Sequence, residues 1–331
     1  MSNFSKDAHL SPLTLHKDIA MAATRDGYGT GVVEAGEAEE NIVVLCADLT
    51  ESTRSLQFKE KFPNRFIEMG VAEQNMAVVA AGLALNGKIP FVATYAVFSP
   101  GRNWDQIRIS SCYNNLHVIF IGAHAGISVG PDGATHQAME DISLTRTLPR
   151  MTVIVPCDAE EARKAIHAAK DAKGPVYIRL GRSATPKFTS EHTPFTIGKG
   201  QIFREGTDVA IIGAGPIIHS ALVAAHALDQ QGISCRVINM PSIKPIDSEL
   251  IEQAARECKA IVTVEEHQIL GGVGSAIAEV VAQTYPVPIE FIGMHNSFGE
   301  SGKPEELLAK YNMDTPAIEK AVMKVLKRKN I

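Results

Sequence analysis

A carboxylate able to do acid–base work stands at Glu73. It follows the apolar stretch Phe66–Met69 across Gly70-Val71-Ala72 and opens an Ala-rich run that reaches Asn86. Strand, turn and helix in succession produce that pattern. A glutamate in a first helical turn often does no more than complement the helix dipole. One flanked by Met69, Val71 and Ala72 can also be desolvated enough to share a proton. Aromatic side chains follow in PFVATYAVFSPGRNWDQIR, where Tyr95 and Phe98 close the next apolar run. They fall at the carboxyl end of a strand, where open parallel sheets bind ligands. A second reactive stretch, residues 124–140, reads HAGISVGPDGATHQAME and gathers His124, Asp132, His136 and Glu140 among glycines. It is too polar and too flexible for a core segment.

The elements that must position these groups alternate along the chain. Short apolar runs at Ile42–Ala47, Phe66–Met69, Phe91–Tyr95, His117–Gly122, Val153–Val155 and Val176–Leu180 are expected as strands. Amphipathic segments at Arg25–Ala38, Glu73–Asn86, Trp104–Tyr113, Thr135–Thr147 and Ala159–Ala172 are expected as helices. A sheet covered by helices on both faces gives this alternation. Residues 1–187 are therefore expected as one domain, and the Pro/Thr/Gly-rich stretch 188–200 as a linker. Residues 201–331 repeat the alternation, with strands at Val209–Gly213, Ser234–Asn239, Ala260–Val264 and Ile289–Ile292. Helices there fall at Ile217–Gln230, Ser248–Cys258, Gly274–Thr284 and Ala317–Lys327. The fold class is α/β, in two domains, each a mainly parallel sheet covered by helices.

Composition narrows the function classes. The 331 residues are 45% hydrophobic and 21% charged, with 32 Lys and Arg against 37 Asp and Glu. That mildly acidic balance argues against a general nucleic-acid binder, and the basic run Lys324–Lys329 reads as a solvated helix end. Five cysteines without a CxxC pair favour a reducing compartment. The polar start Met1–His9 has no apolar signal region, and no run is long enough to cross a bilayer, so a cytoplasmic location is expected.

Three motifs offer other chemistry. Gly126–Gly130, GISVG, matches a hydrolase nucleophile pattern at Ser128, but Pro131 and Gly133 follow where a helix is required. Gly213-Ala214-Gly215 and Gly272-Val273-Gly274 each open a helix after a strand. Neither gains the third glycine of a dinucleotide fingerprint, and tight turns explain both. His124, Asp132 and His136 lie on a Gly-rich loop without the spacing of a zinc motif.

Taken in order, Gly70-Val71-Ala72-Glu73, Pro90–Phe98 and the loop Gly130–Gln137 resemble the second half of a transketolase, and the similarity runs from about Leu15 to the end. Such enzymes use thiamine diphosphate, whose aminopyrimidine needs a carboxylic acid hydrogen-bonded to its remote ring nitrogen. The resemblance implies that Glu73 is that acid, that Tyr95 and Phe98 flank the aminopyrimidine, and that Asp48, in CADLTES, lies near the cofactor. It places Arg25, Ser52, His124 and Arg182 around a substrate phosphate, a role suited to guanidinium forks and loop hydroxyls. Asp132 and His136 would meet the sugar hydroxyls, where His136 can also shuttle a proton. The implied reaction moves a two-carbon ketol unit from a ketose phosphate to an aldose phosphate.

In that family magnesium and the diphosphate are held by a GDG motif in a separate N-terminal domain. The only near match here is Pro131-Asp132-Gly133, without an Asn at suitable spacing. A split transketolase is therefore expected, with Mg2+ ligands on a partner subunit, cofactor at the interface and an α2β2 assembly. The second domain resembles the family's C-terminal domain, whose work is chiefly assembly. Other readings stay open: a 1-deoxyxylulose-5-phosphate synthase-like enzyme, a 2-oxoacid dehydrogenase beta subunit, or a subunit that keeps the fold and has lost the chemistry.

Overall fold

The computed structural model describes residues 3–329. The first unit runs β1 (Met21–Ala22), α1 (Thr24–Ala38), β2 (Ile42–Cys46), α2 (Leu56–Lys61), β3 (Phe66–Glu68), α3 (Glu73–Leu85) and β4 (Ile89–Tyr95). It continues with α4 (Trp104–Gln106), β5 (Ile119–Ala123), α5 (Asp141–Arg146), β6 (Thr152–Ile154), α6 (Ala159–Lys170), β7 (Val176–Arg179) and β8 (Thr185–Pro186). The second unit comprises β9 (Gln201–Arg204), β10 (Val209–Gly213), α7 (Ile217–Asp229), β11 (Cys235–Asn239), β12 (Ser242–Lys244) and α8 (Ser248–Cys258). It ends with β13 (Ile261–Gln268), α9 (Val273–Gln283), β14 (Ile289–Met294), α10 (Pro304–Lys310) and α11 (Thr315–Lys329).

Seven strands form the first sheet in the order β12-β6-β7-β5-β4-β2-β3, parallel except at β12. Every residue of β2 is buried, as expected of a strand covered on both faces. Alternate residues point to opposite faces: Val43 and Leu45 pack with Met76, Ala77 and Ala80 of α3. Ile42 and Val44 join Tyr28 and Val32 of α1 and Ala162 and Ile166 of α6. The second sheet, β14-β13-β10-β11-β9, is parallel except at β9.

Several details depart from the sequence pattern. The expected helix over Thr135–Thr147 shrinks to α5, because Ala138 bridges Ala125 in parallel and its carbonyl accepts from Gly126 N and the Arg179 guanidinium. Those bonds pull Ala138 into a bridge and keep the chain out of a helix until Asp141. Past Gln106 the helix loosens into a π-helical stretch, Ile107–Tyr113. Ser242–Lys244 lies in the second half of the sequence yet pairs antiparallel with β6 in the first sheet. Conversely, Phe4 bridges Arg204, and Ala8 belongs to the second unit's core. The segment 188–200 is anchored at its start: the Asp158 carboxylate accepts from the Phe188 and Thr189 amides at 2.8 and 2.6 Å. Among the described residues, no helix is long and apolar enough to cross a membrane.

Candidate active site at the carboxyl edge of the first sheet

Parallel strands deliver their following loops to one edge of the sheet. Glu73 reaches that edge as the first residue of α3, after Gly70 takes the left-handed conformation that turns the chain out of β3. Its side chain is only 4% exposed, and Oε1 accepts from Arg102 Nη1 at 3.0 Å. Arg102 lies in the loop after β4 and also covers the Phe98 ring, its guanidinium carbon 4.0 Å from the centroid. Asn103 fastens the same loop to the helix by donating to the Glu73 carbonyl.

From Phe98 the contacts run inward through rings. Tyr95, the last residue of β4, stacks on Phe98 at 5.8 Å and on His124 at 3.9 Å between centroids. The His136 ring meets Tyr95 and Phe98 edge-on at 6.0 and 5.6 Å. His124 follows β5 with φ of 55°, and its Nε2 accepts from Arg25 Nη1 at 3.2 Å. The same Arg25 nitrogen donates to the carbonyl of Ser52 at 2.8 Å. Burial, followed by the positive charges of Arg25 and Arg182, pushes His124 down to about 3. The ring is thus neutral at neutral pH. Because Nε2 faces a donor, its proton sits on Nδ1, a buried atom with no protein partner. A buried donor without an acceptor is costly, and Nδ1 is enclosed by the protein at this edge.

Asp132 and Arg182 complete the rim. Arg182 Nη2 is 4.0 Å from Asp132 Oδ1, and its Nη1 donates to the Val129 carbonyl. The Thr135 hydroxyl lies 2.9 Å from His136 Nδ1. Of the residues expected from the sequence, Glu73, Tyr95, Phe98, His124, His136, Arg25 and Ser52 thus form one chain of contacts, with Asp132 and Arg182 beside it. Two placements add detail. Ser52 meets Arg25 through its carbonyl rather than its hydroxyl. Asp48 takes a positive φ of 58° and turns an exposed side chain outward, its amide donating to Glu68 at 2.8 Å.

Sequence reasoning passed over three residues here. Arg102 lies in the aromatic segment four residues after Phe98, a spacing that points to it. Glu68 gathers the Asp48 and Gly70 amides and the Thr50 hydroxyl. Burial alone would raise its carboxyl, but these hydrogen bonds bring it below the usual range and so fix the loop after β2. Gln137 closes the loop motif Gly130–Gln137, but its bond to the Glu300 carbonyl lies far away in sequence. Ser128 has neither flank of a nucleophile elbow, since β5 ends at Ala123 and a short 3-10 stretch follows. Among the described residues no cluster of three or more His, Cys, Asp or Glu side chains could hold a metal ion.

Residues 20–187 match the family Transketolase, pyrimidine binding domain, and residues 198–318 match Transketolase, C-terminal domain. Fold, edge and family place the molecule in the thiamine-dependent α/β class. The chain belongs to the transketolase family, as its pyrimidine-binding domain joined to its C-terminal domain. It is 43% identical to a putative transketolase C-terminal section of Methanocaldococcus jannaschii, over 92% of this chain and 96% of that protein. It is 40% identical to a 6-deoxy-6-sulfo-D-fructose transketolase subunit of Clostridium sp. (strain MSTE9), over 92% and 95%. Human transketolase is 37% identical over 91% of this chain, but only 48% of its own length is matched. Among solved structures, a split-gene transketolase described as an inactive β4 tetramer superposes with a TM-score of 0.87 at 47% identity, covering 93% of this chain and 99% of that one.

Proposed function

We propose that this chain is one subunit of a split transketolase, active with a partner subunit, and that it supplies the pyrimidine-side acid and most of the donor-binding face. The observation that carries the reading is Glu73, a buried carboxylate at a helix start beside the stacked Tyr95 and Phe98. The orphaned His124 Nδ1 lies at the same edge. These groups suit the aminopyrimidine half of thiamine diphosphate, which when bound would supply the carbon nucleophile and electron sink for C–C cleavage. Magnesium and the diphosphate are assigned to the partner in this reading.

Each residue then has a definable task. Glu73 shares a proton with the remote ring nitrogen of the aminopyrimidine, in a site dry enough to strengthen that bond. Tyr95 and Phe98 fix the plane of the ring. Arg25 and Arg182 hold a tetrahedral oxyanion on the donor, a shape common to phosphate and sulfonate. The neutral His124 accepts from Arg25 at Nε2 and so holds that guanidinium in place. His136 and Asp132 orient hydroxyls beside the bond that breaks, and His136 can take or return a proton there.

The test is a ketol-transfer assay with xylulose 5-phosphate, ribose 5-phosphate, thiamine diphosphate and Mg2+, on this chain alone and mixed with the transketolase N-terminal-section subunit from the same genome. Turnover in the mixture and none with either chain alone is the expected outcome. Equal turnover by this chain alone would remove the split reading. An associated mixture inert toward phosphorylated, sulfonated and keto-acid donors would remove the catalytic one.

A further inference from the structure

The loop that carries Asp132 and His136 belongs to the first unit by sequence, yet much of its conformation is set by the second. Gln137, the next residue after His136, is 3% exposed and donates from Nε2 to three carbonyls. Two lie in its own loop, Ile127 at 3.2 Å and Gly130 at 3.4 Å; the third, Glu300 at 2.9 Å, lies in the loop between β14 and α10. A Cβ on Gly299 would stand 2.0 Å from Gln137 Oε1, and one on Gly133 would stand 2.6 Å from Ser301 Oγ. The two loops are therefore in van der Waals register along their length. A second attachment comes from β13: Glu266 accepts from the Ser128 amide at 3.2 Å, and the Gln268 amide donates to Met139 at 2.8 Å. Between these fastenings lie Gly130 and Gly133, both at positive φ. Glycine loses more conformational freedom than any other residue on being fixed in such a turn, so contacts from outside the turn help to hold it.

We infer that Gln137 and the segment Gly299–Ser301 are positioning elements for ketol transfer: the C-terminal domain sets where His136 and Asp132 stand against the donor. The second domain thereby takes part in donor placement as well as in assembly. Neither Gln137 nor the 299–301 segment needs to touch substrate; they act through the adjacent His136. This inference rests on the proposed roles of His136 and Asp132. A misplacement on the order of 1 Å at a reacting group costs about a hundredfold in rate.

Two variants approach the contact from opposite sides. Gln137→Met keeps the volume and removes the donor. Gly299→Ala, in the other domain, pushes a methyl group against the Gln137 amide. Both are assayed with the partner subunit present, beside His136→Ala and the exposed-loop control Lys303→Ala. Expected for both is a fall in kcat/KM for the ketose donor of about tenfold to a hundredfold, with the cofactor concentration for half-maximal activity unchanged. Hydrogen exchange on this chain alone gives a second readout. The Gly133 and His136 amides, bonded to the Gly130 and Gly133 carbonyls, should exchange faster in both variants while those of α3 do not. Wild-type donor kinetics and exchange in both variants, with His136→Ala impaired, would overturn the positioning role alone. Wild-type kinetics in His136→Ala as well would overturn the site reading beneath it. Loss of cofactor affinity in step with donor kinetics would reduce the contact to general structural support.

Discussion

Two glutamates occupy comparable places in the two sheets, and their surroundings differ. Each is buried near the carboxyl edge of a mainly parallel sheet, close to a helix N-terminus. Glu73 opens α3, and its carboxylate accepts from one side-chain donor, the half-exposed Arg102. Glu265 sits within β13, 1% exposed, and both of its oxygens are taken by backbone amides of α9, Val273 at 2.7 Å and Gly274 at 2.9 Å. The turn Gly272-Val273-Gly274 thus resembles a phosphate cradle because it cradles a carboxyl group belonging to the protein itself, one that burial raises to about 7 against the pull of those two amides. A Cβ on Gly272 would stand 2.0 Å from Glu265 Oε2, so glycine is needed there for packing. A buried carboxylate whose lone pairs are spent on amides stabilises; one left with capacity to spare can share a proton with a ligand.

The sharpest way to break that contrast is Glu73→Gln. Turnover of the assembled enzyme should fall roughly a hundredfold to ten-thousandfold, while the melting temperature stays within a few degrees of wild type. A glutamine enzyme at near wild-type rate would end the assignment of Glu73. Glu265→Ala should do the reverse. Leaving two helix amides without their acceptor costs about 1–3 kcal/mol, read as a lower denaturation midpoint, and kcat per folded molecule should hardly change. A large loss of kcat in the folded protein would mean that the two glutamates are not divided in this way. The smallest effect concerns His124. Its ring, held down to about 3 by burial and by Arg25 and Arg182, refuses a proton that the unfolded chain accepts near pH 6.5. Its contribution therefore erodes as pH falls from about 6.5 toward 3. His124→Asn should flatten the stability profile across that window, measured by denaturant titration. A profile of unchanged slope would contradict the neutral, orphaned imidazole.

Much of this architecture was legible because it follows from local rules. Alternating apolar runs and amphipathic segments located the main strands of both sheets, and the order of Glu73, Tyr95 and Phe98 located the edge. What escaped was decided by residues far apart in sequence. Thr135–Glu140 has a composition compatible with a helix, yet bonds from Arg179, Glu266 and Gln268 in its neighbourhood leave it as a turn, a bridge at Ala138 and a bend. Gln137 looked like part of a motif, and its third bond runs 163 residues along the chain. Arg102 was visible but unread. Asp48, taken from resemblance, stands at the expected strand end with an exposed side chain, and its place near the cofactor remains part of the proposal.

The strand Ser242–Lys244 has a consequence for how this molecule can be divided. It leaves the second unit to form the outer edge of the first sheet beside β6, and the Lys244 ammonium reaches the carbonyls of Arg146 and Leu148. A cut in the linker would therefore take away one sheet's border along with the other fragment. It would leave the row of amides and carbonyls on β6 open to pairing with foreign chains. The two halves are thus interlaced in the manner of a mortise joint, and a gene break tolerable between subunits would be damaging inside this one.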